Sequence, residues 1–244
     1  MNITVTNAHG PAQEDLSVEM VERKGLGHPD TICDRAAEEL SRSLSRWYLE
    51  NADCILHHNV DKALLVGGES APEFGGGEIL RRAELILAGR ATPATLEGEQ
   101  VPIDWLVEGG TREWLRETIP QLDEGAIVIN SRIGEGSVDL QDVCSRGEAP
   151  LANDTSFAVA YAPHSQTENI VYLAERLLNA EKTKQQWPML GTDVKVMGVR
   201  TGDTIRLTVA VAFIGKHTES LEHYFAVKDD VREFLLERVR KLTD

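Results

Sequence analysis

A glycine turn that leads directly into a long amphipathic helix is the feature that most constrains this chain. Gly25-Leu26-Gly27 is followed at once by His28-Pro29-Asp30 and then by an apolar run of helical period. Because proline has no N–H, it suits the first helical turn, where that group would be unpaired. We therefore predict a helix from Pro29 to about Tyr48, with its free N–H groups and positive dipole end directed at the turn.

The same segment offers groups that could bind a phosphate together with a metal ion. A helix N-terminus favours an anion, His28 can donate a hydrogen bond to that anion, and Asp30 can hold a divalent cation beside it. A Gly-x-Gly pair also has a plain structural explanation, a capped helix after a turn. For such a pair taken alone, we favour that explanation.

Charge, hydropathy and cysteine content exclude several classes of partner. The chain has 244 residues and a formal charge of −15. Because non-specific nucleic-acid binding needs a basic surface, we expect no nucleic-acid partner, although a local metal site could still bind a nucleotide. The sequence has no apolar run long enough to cross a bilayer and no signal pattern, so we expect no membrane partner. Three cysteines without a CxxC pair indicate a reducing compartment, and we expect a cytoplasmic protein.

The periodicity of the chain predicts an α+β protein. Helical and strand-like runs alternate, and hairpins are as common as crossovers, so we expect helices on one face of largely antiparallel or mixed sheets. We predict a short strand at residues 3–5 and two strands at 54–60 and 63–66, separated by a turn at Asp61-Lys62. Residues 193–199 and 204–213 should form a hairpin. Further helices are predicted at residues 110–122, 168–178 and 220–242.

Five polar patches lie at predicted strand or helix ends, where binding sites tend to be built. They are Glu22 with residues 25–30, residues 57–62, residues 67–69, residues 152–156 and residues 191–195. Each has a structural alternative. His57-His58 in a strand is more often a packed pair than a metal clamp, and Asn153-Asp154 could form an Asx turn. Asp193 and Lys195 share one face of a strand and could take part in a cross-strand ion pair.

Taken in order, these patches resemble the S-adenosylmethionine synthetases of the archaeal type. Residues 21–34 (Val-Glu-Arg-Lys-Gly-Leu-Gly-His-Pro-Asp-Thr-Ile-Cys-Asp) are similar to that family's signature nearly residue for residue. The other similar segments are residues 56–59, 65–68, 74–77, 89–92, 132–134, 151–157, 161–163 and 193–198. The resemblance extends over essentially all of residues 1–244. The family's glycine-rich, basic C-terminal segment has no counterpart here, so we expect the chain to lack the family's C-terminal portion.

The resemblance implies a transferase that uses ATP and L-methionine. In that reaction the methionine sulfur is joined to C5′ of ATP, and the released triphosphate is hydrolysed to phosphate and pyrophosphate. A thioether sulfur is already a nucleophile, which agrees with the lack of a Ser-His-Asp arrangement. The implied cofactors are Mg²⁺ and K⁺, and the implied assembly is a homodimer with its site between subunits.

The resemblance also implies roles for the residues at the phosphate end of the site. His28 would stabilise the leaving triphosphate and Lys195 would contact the phosphates. Asp30 would be the Mg²⁺ ligand. Gly27 would belong to the nucleotide-binding turn.

Other residues would, by the same resemblance, bind the methionine and adenosine parts. Asp154 would hold the methionine amino group. Glu22 and Glu69 would line the methionine and ribose region. Asp193 would lie near the adenosyl group or a metal.

The family fold has three similar sheet-plus-helix lobes, and the resemblance implies that two of them are substantially present. Residues 1–26 with 165–244 would form the first, discontinuous lobe. Residues 27–146 would form the second, and residues 147–164 would connect the lobes and carry the methionine-site aspartate.

Two other functions stay open from the sequence. The chain could be a catalytically incomplete or partner-dependent subunit, since the basic segment is absent and the net charge is −15. A separate chain would then supply the C-terminal portion. With less support, it could be a metal-dependent polyphosphate hydrolase that uses His28 and Asp30 for the second half-reaction alone.

Overall fold

Two three-stranded sheets, each backed by helices, organise the residues that the computed structural model describes, which are 2–7, 9–136 and 159–242. This arrangement confirms the predicted α+β class. The helices of more than one turn are α1 (Pro29–Ala52), α2 (Ile103–Thr118), α3 (Gln166–Leu178), α4 (Glu181–Gln186) and α5 (Leu221–Arg240). The strands are β1 (Val18–Lys24), β2 (His58–Val66), β3 (Glu69–Glu73), β4 (Gly76–Arg81), β5 (Ala83–Ala91), β6 (Ile127–Glu135), β7 (Leu190–Thr201) and β8 (Thr204–Phe213).

The first sheet has the strand order β1–β7–β8 and is antiparallel throughout. Helix α3 packs on β7 and β1, and α5 adds an apolar stripe to the same core. Alternation along β7 places Val194 and Val196 in this core, whereas Asp193 and Lys195 lie on the opposite face. We call that opposite face, turned away from the helices, the open face of the sheet.

The second sheet has the strand order β2–β5–β6, with β2 and β5 antiparallel and β5 and β6 parallel. Helix α1 packs on β2 and on α2. The buried residues of α1 are spaced four apart, as the periodicity predicts, and they are Ile32, Ala36, Leu40, Leu44 and Tyr48. The hydroxyl of Tyr48 donates to the Thr92 carbonyl at 2.8 Å, and burial raises its pKa to about 12.

Strands β3 and β4 form an exposed two-stranded sheet. The turn between them is tied to the segment after β8, because the Gly75 N–H lies 2.9 Å from the Gly215 carbonyl and 2.8 Å from the Thr218 carbonyl. In the part of the chain that the structure describes, every helix is too short or too polar to cross a membrane.

The helix predicted at residues 110–122 is displaced: it runs from Ile103 to Thr118 and continues through Gly109-Gly110, where the prediction placed its start. Two other local predictions are wrong. Residues 3–5 are exposed and irregular, because within the described ranges they pair with no strand. Residues 54–66 do not form two strands with a turn between them. Only β2 forms there, and Asp61-Lys62 lies within it, where the register of its pairing with β5 shifts between Asn59 and Lys62 while the strand continues.

Candidate functional site

Backbone hydrogen bonds hold the glycine turn against strand β7. The Gly25 N–H donates to the Val194 carbonyl at 2.7 Å, and the Gly27 N–H donates to the Thr192 carbonyl at 3.1 Å. A Cβ atom on Gly27 would lie only 2.6 Å from the Thr192 carbonyl carbon and 2.7 Å from the Asp193 nitrogen. Glycine is therefore required at position 27 because two backbones approach each other too closely for a side chain.

His28 caps the N-terminus of α1, and Pro29 occupies the first helical position. The Asp30 N–H donates to His28 Nδ1 at 3.1 Å. Because Nδ1 accepts this hydrogen bond, the proton of the neutral imidazole is on Nε2, which can donate to a ligand. The capped helix predicted from the sequence is confirmed. Pro29 has no N–H and the Asp30 N–H is bonded to His28, so the helix start offers an anion its positive dipole end and the His28 Nε2–H.

Four charged side chains meet beside this helix start, and we call them the charged cluster: Glu22, Lys24, Asp30 and Lys195. Glu22 Oε2 lies 2.8 Å from Lys195 Nζ, and Glu22 Oε1 lies 3.7 Å from Lys24 Nζ. Lys24 also forms an ion pair with Asp30. Lys24 and Lys195 are paired positions of the antiparallel strands β1 and β7. Residues two apart on a strand share a face, so Glu22, Lys24 and Lys195 all lie on the open face of the first sheet.

The ion pairs of the cluster favour the charged forms of its side chains. A hydrogen bond from Lys195 lowers the pKa of Glu22, and one from Lys24 lowers the pKa of Asp30. The hydrogen bond to Asp30 in turn raises the pKa of Lys24. All of these pairs are solvent-accessible, so each contributes little to stability and can be exchanged for contacts with a ligand.

The structure brings six of the predicted site residues to the glycine turn. Gly27, His28 and Asp30 form the turn and the helix start, and Glu22 and Lys195 belong to the charged cluster. Asp193 lies beside Gly27, on the same face of β7 as Lys195. In the described ranges the Asp193 carboxylate pairs with neither lysine of the cluster, and Lys195 pairs with Glu22 instead.

The other two predicted site residues are not placed at the turn. Glu69 begins β3 on the exposed two-stranded sheet, opposite Arg81, and within the described ranges no hydrogen bond or ion pair joins it to the charged cluster. Asp154 lies outside the described residues. The prediction for these two residues therefore stays a prediction.

His57 lies just before β2, and His58 is the first residue of that strand. His58 Nε2 lies 3.0 Å from Ser41 Oγ, and His58 Nδ1 lies 3.0 Å from the Leu56 carbonyl oxygen. Burial lowers the pKa of His57. Both ring nitrogens of His58 thus have protein partners, whereas His57 Nδ1 is buried and has no hydrogen-bond partner among the described residues.

Asp30 offers one exposed carboxylate at the start of α1. Among the residues that the structure describes, no three His, Cys, Asp or Glu side chains converge to hold a metal ion. Mg²⁺, however, is commonly held by one or two carboxylates together with substrate phosphates, while it keeps several waters. Asp30, whose carboxylate is paired with Lys24, is one such carboxylate.

Two residues without an assigned role emerge from the structure. Lys24 connects the two carboxylates of the charged cluster, and its position two residues after Glu22 on a strand was the signal for it. Behind the turn, Arg23 Nε donates to the buried Glu175 at 2.5 Å. That pair joins residues 152 positions apart, so no local sequence pattern could have predicted it.

A partly buried lysine supports the β7 side of the turn. Lys184 of α4 donates to the Gly191 carbonyl at 2.5 Å, directly before Thr192, which accepts the Gly27 N–H. Burial lowers the pKa of Lys184 from 10.5 to about 8. The amine can donate this hydrogen bond in both its charged and its neutral form.

The whole chain matches one protein family, described as S-adenosylmethionine synthetase (AdoMet synthetase), over residues 1–244. The S-adenosylmethionine synthase of Methanothermobacter thermautotrophicus is 47% identical, with 100% of this chain and 61% of that protein covered. The synthase of Sulfurisphaera tokodaii is 45% identical, with 99% and 61% covered. A probable S-adenosylmethionine synthase of Aquifex aeolicus is 47% identical, with 99% and 62% covered. The chain thus spans about 61% of the length of the curated relatives that it matches.

The close backbone approach at Gly27 predicts the effect of adding a methyl group there. Gly27→Ala should lower the free energy of unfolding by about 1–3 kcal/mol, as overpacking does elsewhere, and urea denaturation would measure it. Gly109→Ala in α2 is the matched control, because a Cβ there meets nothing within 4 Å. The control should be neutral or stabilising by up to about 1 kcal/mol. Equal stability of both variants would contradict the assignment.

The lowered pKa of Lys184 predicts a pH dependence of stability. Between about 8 and 10.5 the unfolded chain binds more protons at this residue than the folded chain does. The contribution of Lys184 to stability therefore rises with pH across this window, by up to about 3 kcal/mol. The difference in unfolding free energy between wild type and Lys184→Met should change by this amount from pH 8 to 10.5.

The exposed neighbour Lys182 supplies the control for this titration. Lys182→Met should follow the wild-type pH profile within error. If the profiles of wild type and Lys184→Met run parallel, Lys184 does not titrate as described.

Proposed function

Because this chain belongs to the S-adenosylmethionine synthetase family, in its archaeal-type branch, we propose that it acts as a methionine adenosyltransferase. It would form S-adenosylmethionine from ATP and L-methionine with release of phosphate and pyrophosphate. The observation that carries the proposal is the meeting of His28, Lys24 and Lys195 at the capped start of α1. A helix N-terminus, an imidazole N–H and two ammonium groups are suited to a triphosphate.

The chemistry of the transfer explains why these groups would be needed. When the methionine sulfur displaces the triphosphate from C5′, negative charge develops on the departing oxygens. His28 would donate from Nε2, since Nδ1 is occupied by the Asp30 N–H. Lys24 and Lys195 would exchange Asp30 and Glu22 for phosphate oxygens. One preorganised partner of this kind typically contributes about 3 kcal/mol to transition-state stabilisation.

The proposed cofactors are Mg²⁺ and K⁺. Asp30 would hold Mg²⁺ together with the phosphates, and the cation would neutralise part of the phosphate charge when bound. For K⁺ the family resemblance is the support, and we assign it no residue. Release of Asp30 from Lys24 would couple cation binding to phosphate binding, because the same movement frees both partners.

The remaining site roles are proposed on the family resemblance. Asp154 would hold the methionine amino group, and Glu22 and Glu69 would line the methionine and ribose region. Asp193 would face the adenosyl group or a metal, and its position beside Gly27 supports this role. Gly27 would belong to the nucleotide-binding turn, which its close approach holds against β7.

We also propose a division into lobes and a subunit arrangement. Residues 1–26 with 165–244 would form one lobe, residues 27–146 another, and residues 147–164 their connection. Two separate hydrophobic cores support this division. A cytoplasmic homodimer is proposed, in which open sheet faces meet. Met20 is 67% exposed on the open face of the first sheet, and Leu64 is 58% exposed on the face of the second sheet that is turned away from its core. Cys33 and Cys54 are free thiols, which agrees with a reducing compartment.

The direct test is incubation with ATP, L-methionine, Mg²⁺ and K⁺, followed by detection of S-adenosylmethionine. Since the chain covers 61% of its relatives' length, the assay is run alone and with the remaining portion of such a relative added as a separate polypeptide. We expect product, and His28→Ala should lower its rate by roughly a hundred- to a thousand-fold. The exposed His9 supplies the control variant His9→Ala, which should match the wild type.

The possible outcomes separate the alternatives. Product only with the added polypeptide would identify a partner-dependent subunit. Hydrolysis of triphosphate without any dependence on methionine would indicate the polyphosphate hydrolase. An absence of product in both arms would count against a methionine adenosyltransferase.

A further inference from the structure

A buried carboxylate lies behind the glycine turn, on the helix side of the first sheet. Glu175 of α3 is only 3% exposed. Its Oε2 accepts a hydrogen bond from Arg23 Nε at 2.5 Å, and its Oε1 accepts one from Asn179 Nδ2 at 2.9 Å. A buried carboxylate needs such partners, because an unpaired charge is strongly destabilising away from water.

Both partners of Glu175 reach the segment that carries the site. Arg23 lies on β1 between Glu22 and Lys24, whose side chains lie on the opposite face of the sheet. A Cβ atom on Gly25 would collide with Asn179 Nδ2 and would lie 3.3 Å from Glu175 Oε1. The carboxylate and amide therefore pack directly against the backbone of the turn.

Helix α3 also holds Arg23 through an aromatic ring. The guanidinium carbon of Arg23 lies 4.7 Å from the centre of the Tyr172 ring, one helical turn before Glu175. Arg23 is thus fixed by an ion pair and a ring contact from the same helix. Its backbone is continuous with Lys24 and Gly25, so fixing Arg23 limits the movement of the turn.

The contact with Glu175 determines how the side-chain amide of Asn179 is oriented. Asn179 Oδ1 is buried and has no hydrogen-bond partner among the described residues. Rotation of the amide would place this oxygen against the Glu175 carboxylate, so the amide keeps Nδ2 there instead. Lys184 is the other charged group near Glu175, and it holds the Gly191 carbonyl on the β7 side.

We propose that Glu175 is a positioning residue, which acts through Arg23 and Asn179 to fix the glycine turn and thereby the placement of Lys24 and His28 relative to Lys195. Glu175 is on the helix side of the sheet and the charged cluster is on the open face, so Glu175 contacts no substrate. The inference rests on the proposed function only in taking the charged cluster as the phosphate end of the site.

The first experiment measures amide hydrogen exchange of the full chain without any ligand. Glu175→Gln keeps the size of the side chain but removes its charge. We expect exchange in residues 23–28 to accelerate at least about tenfold, while exchange in β5 stays unchanged, because local opening is separable from global unfolding. Glu237→Gln on α5 is the matched control, since its ion pair with Lys241, at 3.5 Å, is exposed.

A second variant keeps the proposal testable from the other side of the ion pair. Arg23→Gln should accelerate exchange in residues 23–28 as well. The double variant should show less than the product of the two single effects, because both changes remove the same interaction.

Activity supplies a readout that a purely structural role would not move. In the S-adenosylmethionine assay, Glu175→Gln should lower kcat by about tenfold or more, with the KM for methionine within about twofold of wild type, because misplaced charge partners affect the transition state. Unchanged exchange in residues 23–28, equal acceleration in β5, or unchanged kcat in an active enzyme would each overturn the proposal. Localised acceleration in a chain whose wild type makes no product in either arm of the assay would support the positioning of the turn and overturn the proposed function.

Discussion

The contact between the Gly27 N–H and the Thr192 carbonyl, at 3.1 Å, is the interaction on which the site depends. Helix α1, which starts two residues after Gly27, belongs to the core of the second sheet, whereas β7 belongs to the core of the first. The contact therefore joins elements of two cores, and it is possible only because position 27 carries no side chain. His28 and Asp30 come from the α1 side of this junction, and Lys195 comes from the β7 side.

Because side chains alternate along β1, its two faces form different kinds of ion pair. On the open face, Glu22 and Lys24 form exposed ion pairs that contribute little to stability and that a polyanion could replace. On the helix face, Arg23 pairs with Glu175, whose carboxylate is buried. The charged cluster can thus exchange its ion-pair partners, while the Arg23–Glu175 pair on the helix face holds the backbone of β1 in place.

Local features of the site could be predicted from the sequence, and long-range ones could not. The capped helix with its four-residue spacing of buried side chains follows from residues 28–48, and so does the juxtaposition of His28 with Asp30. The pairing of Glu22 with Lys195 depends on the register of β1 against β7, which no local pattern determines. The prediction of a strand at residues 3–5 is wrong because strand propensity alone does not form a sheet without a partner strand. The turn predicted at Asp61-Lys62 is wrong because charged residues between apolar runs are compatible both with a turn and with a bulge inside one strand.

The most direct test of the central claim is a crystal structure of the chain with Mg²⁺ and inorganic tripolyphosphate. We predict phosphate oxygens within hydrogen-bond distance of His28 Nε2 and Lys195 Nζ, at the start of α1. Lys24 should then contact phosphate, and Asp30 should be released to the cation. Tripolyphosphate bound elsewhere, with the Glu22–Lys195 and Lys24–Asp30 pairs unchanged, would contradict the claim.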